Sequence, residues 1–336
     1  MTGDSIDAVF FFIYFKQDKC KKGVRHMLET KDLTKRFKSK TAVNQLNLYL
    51  EKGESVGLLG PNGAGKSTTI SMIATLLPPS SGKVRFNNED AWKNPQGLRQ
   101  VLGVVPQEIA LYEELSAYEN MKFFGKVYGL KGKQLESRIE EVLELIGLTE
   151  RKKDAVKTYS GGMKRRINIG VTLLHEPEIL IMDEPTVGID PQSRNYILDM
   201  IRELNRSRGI TVLYTSHYME EVEKLCDRVY IMDHGEIIAS GTNDELKSIL
   251  SNEETIHITV QTHSLSFEEK LSQLPAVTQA SEEEQGYKVI ASKGENLLED
   301  IFELSRQTQT KITGVSLQTP SLEDVFLHLT GRTLRD

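Results

Sequence analysis

Gly60-Pro61-Asn62-Gly63-Ala64-Gly65-Lys66-Ser67 decides the reading of this chain. It fits the phosphate-binding pattern G-x-x-x-x-G-K-[ST] in full. An apolar run, Ser55-Val56-Gly57-Leu58-Leu59, feeds it, and a helix predicted over Thr68–Leu77 leaves it, stopped by Pro78-Pro79. The glycines let the backbone curl so that successive N–H groups point at phosphate oxygens, and the helix N-terminus adds partial positive charge at the same place. In such a loop Lys66 reaches the β- and γ-phosphates of a nucleotide, Ser67 offers a hydroxyl to Mg²⁺, and Thr68 belongs to the same cradle.

Ile179-Leu180-Ile181-Met182-Asp183-Glu184 reads as the matching half of the site. Four apolar residues bury a strand and two carboxylates stand at its exit. Alone, such a pair is an ordinary loop or helix start. Beside a phosphate loop, Asp183 holds Mg²⁺ and Glu184, facing the other way, polarises an attacking water. Ile210–Tyr214 is a third apolar run, and such runs suit strands covered on both faces of a mostly parallel sheet. Leu28 to Gly53 alternates apolar and polar residues, as half-buried strands do, and Lys83–Phe86 is a short strand of the same kind. Val229–Met232 and Glu236–Ala239 form a predicted hairpin about His234-Gly235. Gln134–Ile146 carries Ile139, Val142, Leu143 and Ile146 at helical spacing.

The texture changes after Ser251. Strands over 255–260, 277–280, 287–291 and 311–318 and helices over 267–274 and 297–306 give the order βαββαβ, a ferredoxin-like arrangement. A last helix starts near Ser321, capped by Ser321 with Asp324, with Leu322, Val325, Phe326 and Leu329 on one stripe.

Composition excludes several classes. Of 336 residues, 38% are hydrophobic and 27% charged, as in a globular protein with a real core. A net charge of −6 and a pI near 5.8 argue against nucleic acid as a main partner. Cys20 and Cys226 lack metal-ligand spacing, which suits a reduced setting. The longest apolar run, Ala8–Phe15, is far short of the ~20 residues that span a bilayer. Asp4 and Asp7 precede it where a secretory signal would be basic. Residues 1–26 are expected to be a non-native or disordered leader. Met27-Leu28-Glu29 reads as a natural start, and Lys21-Lys22-Gly23-Val24 can be encoded by a purine-rich run like a ribosome-binding site. Residues 27–250 then form a nucleotide-binding domain and 251–336 an accessory domain.

Tyr159-Ser160-Gly161-Gly162-Met163, opening a helix upstream of Asp183, resembles the LSGGQ signature of ABC ATPases. The resemblance covers Leu28 to Gly241 and implies a P-loop NTPase cassette with a RecA-like core, an antiparallel β subdomain and a helical signature subdomain. It implies ATP and Mg²⁺ as ligands and hydrolysis as the reaction. It also implies that Ser160, Gly161 and Gly162 of one copy close on the ATP held by a second copy in an ATP-dependent homodimer. Gln107 resembles the Q-loop glutamine that senses Mg²⁺ or water, Asp190 the D-loop aspartate at the dimer interface, and His217 the switch histidine at the γ-phosphate. Phe37 resembles the adenine-stacking aromatic. Glu184, His217 and Lys66 are then the catalytic group. Tyr159 and Met163 stand where the family has leucine and glutamine, and Phe37 where it has tyrosine.

Pro320 to Arg332, Pro-Ser-Leu-Glu-Asp-Val-Phe-Leu-His-Leu-Thr-Gly-Arg, is similar to the tail of daunorubicin-resistance ABC ATPases, with linearmycin-resistance ATPases close in pattern. That likeness implies export of an amphipathic drug or antibiotic through a separate ABC-2 type permease. It places the chain peripherally on the cytoplasmic face of a bacterial membrane. The region after Gln107, with Leu111, Tyr112, Leu115, Tyr118, Phe123 and Phe124, is the expected permease contact. An importer subunit and a non-transport regulatory ATPase are the alternative readings.

Overall fold

A computed structural model describes residues 26–250, 253–292, 297–318 and 320–330. The expected leader apart from His26, the run Ala8–Phe15, Cys20 and the last residues of the tail motif lie outside these. The chain divides into two compact units between Thr242 and Asn243.

The first unit holds two sheets. Strands β1 (Leu28–Phe37), β2 (Lys40–Leu46), β3 (Tyr49–Leu50), β5 (Ser81–Phe86) and β6 (Glu89–Asp90) form an antiparallel sheet in the order β2-β1-β5-β6, with β3 also on β1. The second sheet runs β11-β10-β4-β9-β8-β7. Its members are β4 (Ser55–Leu59), β7 (Leu102–Val105), β8 (Ile179–Asp183), β9 (Thr211–Ser216), β10 (Arg228–Asp233) and β11 (Glu236–Thr242). The five strands from β10 to β7 are parallel, and β11 returns as the predicted hairpin. Every residue of β4, β8 and β9 is buried, and each strand centres on an apolar run. Because β9 lies between β4 and β8, the carboxyl ends of the three strands deliver the phosphate loop, Asp183-Glu184 and Ser216-His217 to one edge. Loops at that edge are where open α/β sheets bind ligands.

Leu28, Leu33, Val43, Leu46 and Val84 of the antiparallel sheet share one apolar cluster with Val56, Leu58, Ile181 and Leu213 of the parallel sheet and with Met72 and Ile73 of helix α1. α1 spans Lys66–Ile73, not the predicted Thr68–Leu77. It begins at the lysine itself, and it ends because Thr75 turns left-handed at φ 58°. Arg99 holds that turn, donating to Thr75 O at 2.7 Å and to its hydroxyl at 2.9 Å. Arg99 lies on α2 (Pro95–Val101), a helix with one buried side chain and so no readable stripe.

A helical part follows: α3 (Ala117–Val127), α4 (Gly132–Leu145) and α5 (Gly161–Leu173). Ser116 and Glu119 make a reciprocal capping box at α3, and the Ser116 N–H holds the Glu119 carboxyl below its ordinary pKa. Helices α6 (Pro191–Arg208) and α7 (Met219–Leu225) complete the unit.

The second unit holds β12 (Glu253–Val260), β13 (Val277–Glu283), β14 (Gly286–Ser292) and β15 (Ile312–Gln318) as an antiparallel sheet ordered β13-β14-β12-β15. With α9 (Leu265–Leu271) and α10 (Leu297–Gln307) this is the ferredoxin-like order read from the sequence. Ile256, Ile258, Phe267, Leu271, Val289 and Ile301 form its core. α8 (Asn243–Lys247) packs against α11 (Leu322–Thr330), where Ser321 and Asp324 make the expected cap.

Ile181, fully buried on β8, pairs with Val104 of β7 and Leu213 of β9, two residues before Asp183. Ile181→Ala is expected to cost about 2–5 kcal/mol. A urea titration should show a lower midpoint with an unchanged slope.

Candidate functional site

The phosphate loop is built by close approach. Gly65 sits at φ 109°, and a Cβ there would lie 2.5 Å from the Ala42 carbonyl oxygen. The loop is also tied to the hairpin turn between β10 and β11, since the Gly235 N–H donates to Ala64 O at 2.9 Å and Gly235 O accepts from the Asn44 N–H at 2.8 Å. The antiparallel sheet, carrying Phe37 at the end of β1, is therefore anchored on the loop. Phe37 is exposed, with the Lys35 ammonium 5.2 Å from its ring centre.

Lys66, 5% exposed, turns its ammonium into the ring of the loop, donating to Gly60 O at 2.6 Å and Pro61 O at 3.2 Å. Its Nζ lies 3.3 Å from Glu184 Oε1. The other Glu184 oxygen lies 3.3 Å from His217 Nδ1. Three residues that sequence reasoning drew from three separate motifs thus meet at one carboxylate. Glu184 is itself at φ 46°, a left-handed backbone that a non-glycine residue adopts at a cost of about 1–3 kcal/mol and that clusters at functional sites. Thr215 fixes this turn. Its hydroxyl donates to Asp183 Oδ1 at 2.9 Å and accepts from the Glu184 N–H at 2.9 Å. Asp183 and Glu184 are held as a pair by a β9 residue whose role the sequence did not announce.

Gln107 is exposed after β7, but its backbone is not loose. Arg165, buried on α5, donates to Pro106 O at 2.8 Å and Gln107 O at 2.5 Å. Asn168, one turn on, accepts from the Ala110 N–H at 3.2 Å. Lys164-Arg165-Arg166 reads as a solvated basic run, yet its middle member is a buried clamp; Lys164 pairs with Glu113 instead, and Arg166 donates to Ile146 O.

Ser160 caps α5, its hydroxyl accepting from the Met163 N–H at 3.3 Å. Gly162 has no room for a side chain: a Cβ would lie 2.1 Å from Ser193 Oγ. Ser193 in turn donates its N–H to Asp190, the cap of α6, and that bond holds the Asp190 carboxyl below its ordinary pKa. Ser160 and Asp190 therefore belong to two helix starts packed on each other.

Family comparison agrees with this geometry. Residues 43–187 match the model described as ABC transporter, and residues 241–330 match the model for the C-terminal domain of ATP-binding proteins like DrrA1-3. The linearmycin resistance ATP-binding protein LnrL of Bacillus subtilis is 49% identical, over 92% of this chain and all of that protein. The chain belongs to the ATP-binding subunits of ABC transporters. As a member it is an ATP-hydrolysing transporter subunit. The daunorubicin/doxorubicin resistance protein DrrA of Streptomyces peucetius is 37% identical over 92% of this chain and 94% of its own. Among solved structures, a dimeric ATP-binding cassette in a post-hydrolysis state bound to ADP and Pi superposes with a TM-score of 0.58. It is 26% identical, over 64% of this chain and 98% of that cassette.

The departures from the ABC signature have local explanations. Tyr159 is buried, and its hydroxyl donates to Arg151 O, a bond that leucine could not make. Met163 is half-buried on α5. Of the residues expected to meet a permease, two are exposed and four half-buried. Tyr112 and Phe123 are exposed, their ring centres 5.0 Å apart edge to face, and Phe124 lies 5.3 Å from Phe123. Leu111, Leu115 and Tyr118 are half-buried. Asn120, fully buried, pins Tyr112 by its N–H and carbonyl, both at 2.9 Å, so the aromatic is displayed by design of the backbone. Among the described residues no helix is long and apolar enough to cross a membrane.

Gly65→Ala should destabilise the fold more than Gly63→Ala. Both residues have positive φ, but a Cβ at Gly63 meets nothing within 4 Å while one at Gly65 strikes backbone. Thermal unfolding of both variants without nucleotide checks the order.

Proposed function

We propose that this chain powers export of an amphipathic drug or antibiotic through a separate ABC-2 type permease, working as an ATP-dependent pair at the cytoplasmic face of the membrane. The observation that carries the catalytic reading is the meeting of Lys66 and His217 on the Glu184 carboxylate. The export reading is supported by the names of the two relatives and by the match of the C-terminal unit.

In this reading the phosphate loop from Gly60 to Gly65 turns the N–H groups of Asn62, Gly63, Ala64 and Gly65 on the β- and γ-phosphates of ATP, with Pro61, which has no N–H, shaping the turn, and Thr68 completes the cradle. Ser67, Gln107 and Asp183 would hold Mg²⁺, and Phe37 would stack on the base. The proposed donors for the ion are a hydroxyl, an amide oxygen and a carboxylate, the hard oxygen set that Mg²⁺ prefers. Asp183 is already oriented by Thr215. Bound there, Mg²⁺ would supply positive charge against the phosphates of the nucleotide. Glu184 orients a water and accepts its proton, while Lys66 and His217 stabilise charge on the transferred phosphoryl oxygens. Ser160, Gly161 and Gly162 present a hydroxyl and helix-terminal amides to the ATP of a second copy, across an interface that includes Asp190. Closure and opening of the pair reach the permease through the Tyr112–Phe124 cluster, and Arg165 and Asn168 hold the segment from Gln107 to Ala110 that precedes it.

Two variants separate the steps. Glu184→Gln is expected to bind ATP and dimerise while losing hydrolysis by about a hundredfold or more. Ser160→Arg is expected to bind ATP as a monomer and not close. Size-exclusion chromatography with ATP and Mg²⁺, with phosphate release on the same samples, checks both. Full turnover by Glu184→Gln would remove its assigned role.

A further inference from the structure

Glu221 is a buried carboxylate near the site that no motif predicts. It lies on α7, four residues beyond His217, and is 3% exposed. Its Oε2 accepts from Tyr214 OH, Ser216 Oγ and Thr186 Oγ1, each at 2.8 Å. Its Oε1 lies 2.9 Å from the same Thr186 hydroxyl and 3.3 Å from Arg194 Nε. Each hydroxyl has one proton to give, and three of them together with a guanidinium face one carboxyl group. The carboxyl group is thus met by hydroxyls from β9 and from the loop after Glu184, with the guanidinium of α6 beside it. Burial and the Glu221 charge push the Tyr214 phenol well above its ordinary pKa, so it stays a donor.

The partners come from three different pieces of the catalytic edge. Thr186 follows Glu184 by two residues. Ser216 precedes His217, and its Oγ also accepts the Tyr218 N–H at 2.9 Å, which fixes the chain on the far side of His217. Arg194 stands in the first turns of α6, whose cap is Asp190, and its guanidinium covers the Tyr218 ring at 4.5 Å. The His217 and Tyr218 rings are themselves 4.2 Å apart. Ser193, next to Arg194, is the residue against which Gly162 packs. A continuous line of contacts therefore runs from the signature glycine through the start of α6 to Arg194, Glu221 and Ser216, and ends at the backbone of His217. A buried carboxyl group held by three hydroxyls resists distortion, because losing one leaves a buried polar atom unsatisfied.

We infer that Glu221 is a positioning residue that locks the His217 loop, the Glu184 turn and the start of α6 into one unit, so that contact of a second copy with the Asp190–Ser160 face is felt at His217. This inference rests on the dimeric reading proposed above. It assigns Glu221 no contact with nucleotide. Its removal should leave nucleotide binding to the single chain intact while lowering turnover of the pair.

The test is a double-mutant cycle on Glu221→Gln, Arg194→Met and the two combined, in the full chain. For each, ATP affinity is measured by fluorescent-nucleotide titration of the dilute protein, hydrolysis by phosphate release at saturating ATP, and folding by thermal unfolding. The expected result is a tenfold or greater fall in kcat for each single variant, a less than twofold change in ATP affinity, and a double variant no worse than the weaker single, because the two residues act as a unit. Wild-type kcat in folded Glu221→Gln would overturn the inference. So would loss of affinity in parallel with kcat, or additive losses in the double variant, since these mark a general structural role. If Glu221→Gln does not fold, Arg194→Met decides alone: its side chain is partly at the surface, and wild-type kcat there breaks the link to α6. Glu184→Gln is run alongside. Its full activity would indict the underlying site assignment, whereas an inactive Glu184→Gln beside an active Glu221→Gln indicts only the inference.

Discussion

The Glu184 carboxylate, nearly enclosed, has the Lys66 ammonium on one oxygen and the His217 imidazole on the other, both at 3.3 Å. A buried carboxylate of this kind is costly unless it is paired, so the surrounding structure must keep the three groups in register. That requirement falls on the parallel sheet. With β9 between β4 and β8, the lysine, the acid and the histidine leave neighbouring strands at the same edge. Thr215, at the end of the middle strand, grips both Asp183 and the Glu184 backbone and so sets the strained turn. The apolar runs of β4, β8 and β9 are the physical means by which a hydrophobic pattern becomes a geometry for chemistry.

A second layer couples this edge to the helical part. Arg165 and Asn168 on α5 hold the backbone on both sides of Gln107, and the same helix begins at Ser160. Any displacement of the Gln107 segment is thereby shared with the signature helix, and Asn120 keeps the Tyr112 cluster in a fixed pose beside it. The glycines matter here for closeness rather than flexibility. Gly162 lets α5 touch Ser193, and Gly65 lets the phosphate loop pass under the Ala42 carbonyl.

Much of this was legible in the sequence, and the reasons are physical. The phosphate loop, the paired acids and the signature are contiguous, so spacing alone exposes them. β4, β8 and β9 announce themselves because strands covered on both faces are apolar along most of their length. The ferredoxin-like order of the second unit follows from period-two strands separated by short helices. What could not be read depends on contacts distant in sequence. The early end of α1 is imposed by Arg99 on Thr75, not by Pro78-Pro79. Arg165 looks like one of three solvated bases, and Glu221 looks like one more acid on a surface helix. Each is buried only because a partner from another element meets it. Tyr214 is hidden in the same way: as the last apolar residue of a strand it reads as core, and its hydroxyl gains meaning only from Glu221.

The central claim is that one copy of this chain holds an incomplete site. The measurement that tests it most directly is specific ATPase activity as a function of protein concentration at saturating ATP and Mg²⁺. If the Ser160 edge of a second copy completes each site, specific activity falls towards zero on dilution and rises to a plateau as dimers form. Constant specific activity at concentrations where the protein sediments as a monomer would contradict it.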